Sequence, residues 1–220
     1  MCGRYALYGP HFRYKEYFGP DDWSDFPDRY NIAPSLSVPV IRQSPEGRRV
    51  VSLLQWGLIP NWSKDASIGL KLANARAETV AEKPSFRSAF RSRRCIVPAS
   101  GFYEWKSEGR NKQPYYFRYR SGDPLAIAGL WESWRDSTGN IVRTFCVITT
   151  TANTTVAPVH DRMPVLLAPS DFAEWLDPDT KGHDVAALLV PCRSDLMECW
   201  PVSKAVCRAS NDDKALIDPT

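Results

Sequence analysis

Short segments rich in β-branched and aromatic residues recur along this chain, and clusters of turn-forming residues separate them. SVPVI and RRVVSLLQW flank the turn SPEG, which is the pattern of a β-hairpin. Farther along, CIVPASGFYEW, PYYFRYR, LAIAGLWESW and IVRTFCVITT are separated by SEGRNKQ, SGD and DSTGN. Because short connections join antiparallel neighbours, we expect these four segments to form a mostly antiparallel meander.

Few segments have the spacing of helices. SDFAEWL offers Ser170 as an N-cap, HDVAALL offers Asp184, and KPSFRSAFRSRR places Phe86 and Phe90 on one helical face. The predicted class is α+β: a β-rich mixed fold with an antiparallel, barrel-like core and a few short helices. The 220 residues show no internal repeat and no linker, so residues 1–220 are expected to form a single domain.

The amino-acid composition indicates a class of protein but does not identify a function. Charged residues make up 24% and hydrophobic residues 43%, which is typical of a folded globular chain. A net charge of +3 is too small to identify a nucleic-acid partner. No segment has the length of a membrane span or the pattern of a signal peptide, so we expect a cytoplasmic protein without membrane contact.

The six cysteines form no Cys-x-x-Cys pair and the three histidines are scattered, so the sequence predicts neither a zinc site nor a cofactor. Cys2 is a candidate nucleophile. Once Met1 is removed, Cys2 presents an α-amine with a pKa of about 8 and a thiol with a pKa of about 8.5. An aldehyde would react with the amine to give a Schiff base, and the thiol would close a thiazolidine ring. The alternative is an incidental residue in a frayed terminus.

Three polar groups downstream are candidates for the remaining chemistry. Asn74, Arg76 and Glu78 alternate in LANARAET, so an extended backbone would place them on one face, although a solvated strand edge has the same pattern. Glu104 lies between two aromatic residues, where burial would raise its pKa, but alternation favours a solvent-facing carboxylate. His160 stands at an element boundary and suits proton transfer, although a lone histidine is more often structural.

Arginines and aromatic rings are the groups that suit a single nucleic-acid strand. The arginines are Arg4, Arg76, Arg162 and the cluster Arg87, Arg91, Arg93 and Arg94, and the rings are Trp56 and Trp62. A solvated helix face would equally explain the arginine cluster, and a core position would explain each tryptophan.

Taken in order, MCGRY, YNIAPS, QWGLIPNW, NARAET, CIVPASGFYEW, PVHDRMPVLL and WPVSKAV closely resemble the SOS-response-associated peptidase family. The resemblance runs from Cys2 to about Lys204. It implies a β-sheet fold with a positively charged channel for single-stranded DNA that contains abasic sites. Cys2 would form a thiazolidine with the ring-opened sugar, Asn74 would position the sugar, Glu104 would act as acid or base, and His160 would assist proton transfer and reversal.

The resemblance also assigns the DNA contacts. Arg4, Arg76 and Arg162 would hold phosphates, while Pro34 and Trp62 would pack on nucleotides. Around EKP the sequence departs from relatives with a phosphate-binding arginine, and Lys83 or Arg87 would substitute. The family further implies autocatalytic removal of the initiator methionine and strand cleavage at the abasic site by elimination. We also expect a monomer, for which replication-fork proteins are candidate partners.

Two other functions remain open from the residues alone. Glutamine amidotransferases of the N-terminal-nucleophile type also begin Met-Cys-Gly, but this chain has no recognisable glutamine-pocket motif and no synthetase domain. A non-catalytic reader of modified bases would use the same arginines and aromatic rings and leave Cys2 idle.

Overall fold

The computed structural model describes residues 2–20, 22–109 and 111–220. The β-strands in chain order are β1 (Arg4–Leu7), β2 (Arg29–Ile32), β3 (Ser37–Gln43), β4 (Arg49–Trp56), β5 (Asn74–Arg76), β6 (Arg94–Ala99), β7 (Gly101–Glu108), β8 (Asn111–Tyr119), β9 (Leu125–Arg135), β10 (Ile141–Thr151), β11 (Arg162–Pro164) and β12 (Met197–Pro201). The α-helices are α1 (His11–Phe18), α2 (Arg87–Ser92), α3 (Phe172–Leu176) and α4 (Gly182–Ala187), and short 3-10 turns accompany them.

The strands form two sheets. The first has the order β12-β8-β7-β1-β2 and is antiparallel throughout. In the second, β4, β3, β6, β9 and β10 follow one another and β10 pairs again with β4, which closes a five-stranded barrel. β5 and β11 attach to β10. The predicted β-rich α+β class with a barrel-like core is confirmed, although β10 pairs in parallel with both β4 and β5.

The predicted hairpin is confirmed. β3 and β4 pair antiparallel in a continuous register that places Val40 opposite Ser52. In the connecting turn, the Ser44 amide donates to the Arg48 carbonyl, and Gly47 adopts a positive φ of 79°. That left-handed backbone is the reason the SPEG turn ends in glycine.

The predicted meander is confirmed only as two antiparallel hairpins, β7 with β8 and β9 with β10. As one continuous sheet it is wrong, because the chain changes sheets twice within it. β6 belongs to the barrel and β7 to the first sheet, and only Ser100 separates them. Ser100 anchors this corner: its amide donates to the Ala6 carbonyl at 2.7 Å, and its hydroxyl accepts from the Tyr8 amide at 2.8 Å. β8 and β9 are likewise split between the two sheets. At both points a short connection joins strands that belong to different sheets and do not pair with each other.

The helices are shorter than expected, and both predicted N-caps are wrong. Ser170 lies inside a 3-10 turn that begins with a proline, and its hydroxyl contacts Asp171. Asp184 lies in the first turn of α4, which starts earlier at Gly182, and a carboxylate there still suits the helix N-terminus. The predicted face of Phe86 and Phe90 is confirmed, since both rings are buried. Helix α1 was not predicted.

Two residues considered for nucleic-acid contact serve the core instead. Trp56 is 1% exposed, its ring centroid lies 5.2 Å from that of Tyr5, and its indole N–H donates to the Ala73 carbonyl. Arg94 is 2% exposed and donates to the carbonyls of Trp175, Phe90, Arg91 and Asp177. A stacking role for Trp56 and a phosphate role for Arg94 are therefore wrong.

Across residues 2–20, 22–109 and 111–220, no helix is long and apolar enough to cross a lipid bilayer. The same residues contain no group of three His, Cys, Asp or Glu side chains arranged to hold a metal ion.

Candidate active site

Cys2 lies just before β1 and its side chain is fully buried in the main hydrophobic core. Its Sγ is 4.0 Å from the Arg4 carbonyl oxygen. Burial raises the pKa of the Cys2 thiol far above its ordinary value, and the nearby charge of Glu104 acts in the same direction. The thiol is therefore protonated at neutral pH, and its reaction needs an acceptor for the proton.

Glu104 lies on β7, next to β1 in the antiparallel pair that aligns Arg4 with Tyr103. The Glu104 side chain is 2% exposed, so the solvent-facing orientation that alternation favoured is wrong. Alternation failed because both faces of β7 are covered: Tyr103 is also buried, and its hydroxyl donates to the Tyr30 carbonyl. Burial raises the pKa of Glu104 to about 7, where both protonation states are populated.

His160 completes the group. Its Nε2 lies 3.9 Å from Glu104 Oε2, and its Nδ1 accepts a hydrogen bond from the Arg162 backbone amide at 2.9 Å. Asp161 Oδ1 also lies 3.0 Å from Nδ1, but this carboxylate is largely exposed, so the backbone amide decides the tautomer. The neutral ring thus carries its proton on Nε2, toward Glu104. Partial burial lowers the pKa of His160, which favours this neutral form.

Glu104 and His160 line a cleft of about 400 Å³, which we call the reactive cleft; the fully buried Cys2 is not part of its wall. Its walls are Glu104, Trp105, Ser107, Lys112, His160 and Cys207. Lys112 was not singled out from the sequence, because only the β7–β8 register, which places Lys112 opposite Ser107, brings its ammonium to this site. Cys207 is exposed at the wall, where the Trp105 indole N–H lies 3.4 Å from its sulfur.

A second cavity of about 410 Å³, the basic cavity, contains two other predicted residues. It is lined by Lys71, Leu72, Asn74, Arg76, Lys83, Ser85 and Phe86. Asn74 Oδ1 is buried and has no hydrogen-bond partner among the residues that the structure describes. Arg76 is exposed. Of the two cations expected to replace a missing arginine, Lys83 lines this cavity and Arg87 does not.

Strand β10 pairs with the strands that lie at or next to each cavity. It pairs with β5, which places Val147 beside Asn74, and with β11, which places Thr151 beside Arg162. Glu78 does not share a face with Asn74 and Arg76, because the backbone enters a 3-10 turn at Ala77–Thr79. Glu78 instead forms a two-pronged ion pair with Arg162, with N–O distances of 2.5 and 2.9 Å.

Two of the predicted phosphate-binding arginines have intramolecular partners. The Arg162 side chain is 13% exposed and also donates to the Thr149 carbonyl at 2.6 Å. Arg4 donates to Asn31 Oδ1 at 2.8 Å and to the Val206 carbonyl at 2.7 Å. Both guanidinium groups are fixed in place, and the Glu78 carboxylate offsets the charge of Arg162.

The two residues expected to pack on nucleotides lie at the surface. Trp62 is 57% exposed on the loop after β4. The next residue, Ser63, anchors this loop, because its carbonyl accepts a hydrogen bond from the Trp134 indole. Pro34 is half-buried in the turn between β2 and β3, next to Ser35, whose φ of 77° is left-handed. An exposed indole on an anchored loop is a suitable surface for a base.

A buried thiol, a buried carboxyl with a neutral-range pKa and an imidazole tautomer directed at that carboxyl are the groups from which a nucleophilic centre is built. The family model described as SOS response associated peptidase matches residues 1–209. The chain belongs to this family.

Individual relatives match along their whole length. The chain is 40% identical to the abasic site processing protein YoqW of Bacillus subtilis, with 99% of each chain covered. It is 30% identical to the abasic site processing protein YedK of Escherichia coli, with both chains fully covered. A crystal structure of a protein from Bacteroides thetaiotaomicron superposes over both complete chains with a TM-score of 0.90 at 29% identity.

Proposed function

We propose that this protein processes abasic sites in DNA by bonding Cys2 covalently to the sugar aldehyde. The observation that carries the proposal is the buried Glu104 carboxyl, whose pKa is about 7. It lies 3.9 Å from the His160 imidazole, and its charge acts on the pKa of the Cys2 thiol. The names of the relatives as abasic site processing proteins support the substrate.

The covalent step balances without a cofactor. Removal of Met1, which lies outside the described residues, frees the Cys2 amine. That amine adds to the aldehyde carbon of the ring-opened sugar, and loss of one water leaves a Schiff base. The thiol then adds to the same carbon as its proton passes to the imine nitrogen, which closes the thiazolidine. The product has the mass of protein plus DNA minus one water.

The neighbouring groups supply the proton transfers that these steps need. Because burial keeps the Cys2 thiol protonated, the ionised Glu104 carboxylate is the group placed to accept its proton. Protonated Glu104 would in turn assist loss of water from the first adduct. The neutral His160 ring presents its Nε2 proton to Glu104 and would chiefly serve ring opening in the reverse reaction.

The same Schiff base permits strand cleavage. A base that removes a proton from the carbon next to the imine would expel the 3′ phosphate, so lyase activity competes with ring closure at the sulfur. Self-removal of Met1 would use the same thiol and carboxyl. We include both activities in the proposal as side reactions of one centre.

The DNA path follows the charges and the exposed ring. We propose that Arg76 and Lys83 in the basic cavity bind phosphates, that Asn74 Oδ1 accepts a hydrogen bond from the sugar or the Cys2 amine, and that Trp62 stacks on a base. Pro34 would pack on a nucleotide. Arg4 and Arg162 would contribute fixed charge beside the path. Such contacts suit single-stranded DNA. We include in the proposal that a monomer binds it in the cytoplasm, at the nucleoid and near replication forks.

The test is incubation of the Met1-processed protein with a single-stranded oligonucleotide that carries one abasic site, followed by denaturing electrophoresis. The proposal predicts a heat-stable shifted band that Cys2→Ala and Cys2→Ser abolish. The control is Cys199→Ser, which removes a half-buried thiol on β12 away from the reactive cleft. Equal adduct yield in Cys2→Ala would refute the proposal, and non-covalent binding alone would favour a reader of modified DNA.

A further inference from the structure

The turn at residues 153–160 carries His160 to the reactive cleft, and its conformation starts at Asn153. We propose that Asn153 is a positioning residue for His160, acting through this turn and not by contact with DNA. The inference rests on the proposed function, because that function gives His160 its role in proton transfer.

The Asn153 carboxamide oxygen caps the start of the turn. Its Oδ1 accepts the backbone amides of Thr155 at 3.1 Å and Val156 at 3.0 Å. The Asn153 carbonyl also accepts the amides of Val156 and Ala157, at 3.1 and 2.9 Å. A side chain that satisfies the first amides of a helical turn fixes the direction in which that turn leaves the preceding strand, here β10.

The other half of the carboxamide anchors Asn153 to the neighbouring segment. Its Nδ2 donates to the Cys192 carbonyl at 3.0 Å and lies 3.5 Å from the Met197 sulfur. The Asn153 backbone amide donates to the Met163 sulfur at 3.3 Å, on β11. Burial raises the pKa of the adjacent Cys192 thiol to about 11, so this thiol is uncharged near neutral pH.

The turn transmits this position to the imidazole. The Val156 side chain is fully buried, and its carbonyl accepts the His160 amide at 3.0 Å. From the other side, the Arg162 amide fixes Nδ1 of the ring. Asn153 therefore sets the start of a short rigid path whose end is the contact between His160 and Glu104.

The charged surroundings of His160 give this path a measurable consequence. Glu104 faces the ring from β7, Asp161 lies beside it on its own loop, and Lys112 belongs to the cleft wall on β8. Partial burial lowers the pKa of His160, Lys112 acts in the same direction, and Asp161 opposes them. If the turn loses its cap, the ring becomes more solvated and its pKa moves back toward the ordinary value of about 6.5.

The decisive experiment is an NMR titration of the ¹⁵N-histidine-labelled protein, which contains His11, His160 and His183. We expect Asn153→Ala to raise the His160 pKa toward its ordinary value. Adduct reversal should slow roughly tenfold, which is less than the ~10²–10⁴-fold typical of complete loss of general acid–base catalysis. Asn153→Ser keeps a short capping oxygen and loses the Nδ2 anchor, so it should restore part of the effect and serves if Asn153→Ala does not fold.

The matched control is Asn140→Ala. The Asn140 amide donates to Asp136 and Thr138 in the turn at the opposite end of β10, so its loss should leave His160 unchanged. A lowered melting temperature with unchanged His160 pKa and unchanged reversal in both Asn153 variants would overturn the inference. The titration uses no DNA, so it tests the positioning of His160 separately from the reaction with DNA. Absence of an adduct in the unsubstituted protein would refute the proposed function, whatever the titration shows.

Discussion

Replacing Glu104 with glutamine should make the folded protein more stable at alkaline pH while slowing its reaction with abasic DNA. Burial raises the pKa of this carboxyl from 4.5 to about 7, so the folded state holds a proton that the unfolded state has already released in this range. The contribution of Glu104 to stability is therefore complete below about pH 4.5 and is lost as the pH rises through 7.

The size of the effect follows from the shift. Each pKa unit corresponds to 1.36 kcal/mol, so raising the pKa from 4.5 to about 7 corresponds to about 3 kcal/mol. Glutamine has almost the same shape and cannot ionise, so Glu104→Gln removes this pH-dependent loss. For a chain of this size, about 3 kcal/mol corresponds to roughly 6–12 °C in melting temperature.

The assay is urea unfolding of both proteins at several pH values from 5 to 8.5. The difference in unfolding free energy, Glu104→Gln minus wild type, should rise by about 2 to 3 kcal/mol across this range, most of it between pH 5 and 7. Adduct formation by the variant should be slower and should lose its titration near pH 7. A stability difference that stays constant from pH 5 to 8.5 would refute the assignment of a raised pKa to Glu104.

Three further substitutions test separate parts of the structure. Trp62→Ala should weaken single-stranded DNA binding by about 1–3 kcal/mol without lowering the melting temperature. Leu70→Ala, which truncates another exposed apolar residue, should leave DNA binding unchanged. Equal losses of affinity in the two variants would contradict base stacking. Arg76→Ala should reduce the slope of log affinity against log salt by about 0.7, measured by fluorescence anisotropy, and an unchanged slope would exclude a phosphate contact. Gly101→Ala would put a Cβ 2.5 Å from the Phe117 carbonyl oxygen, so calorimetry should show destabilisation of about 3 kcal/mol or more, and a near-wild-type melting temperature would contradict that packing.

The local elements were predictable because their signals lie within a few residues. The hairpin of β3 and β4 follows from its turn, and the positions of most later strands follow from β-branched and aromatic runs. The pairing of those strands was not predictable in the same way. A single residue, Ser100, carries the chain from the barrel to the other sheet, and no periodicity of the flanking strands records that change.

The candidate site shows the same limit. Cys2 and His160 stand out by residue type, but alternation placed Glu104 in solvent because it assumes that one face of a strand is exposed. Lys112 and Asn153 gain their places through strand register and through a turn anchored on a distant segment. Contacts of that kind depend on the assembled fold, so the sequence alone does not indicate them.

In the proposed reaction, the bond to DNA forms at Cys2 with loss of one water. The most direct measurement is intact-mass and peptide mass spectrometry of the denatured adduct between the protein and an oligonucleotide with one abasic site. We expect a mass equal to the protein without Met1 plus the oligonucleotide minus one water, with the modification located on Cys2. A modification on Lys112, Cys207 or any other residue, with Cys2 unmodified, would contradict it.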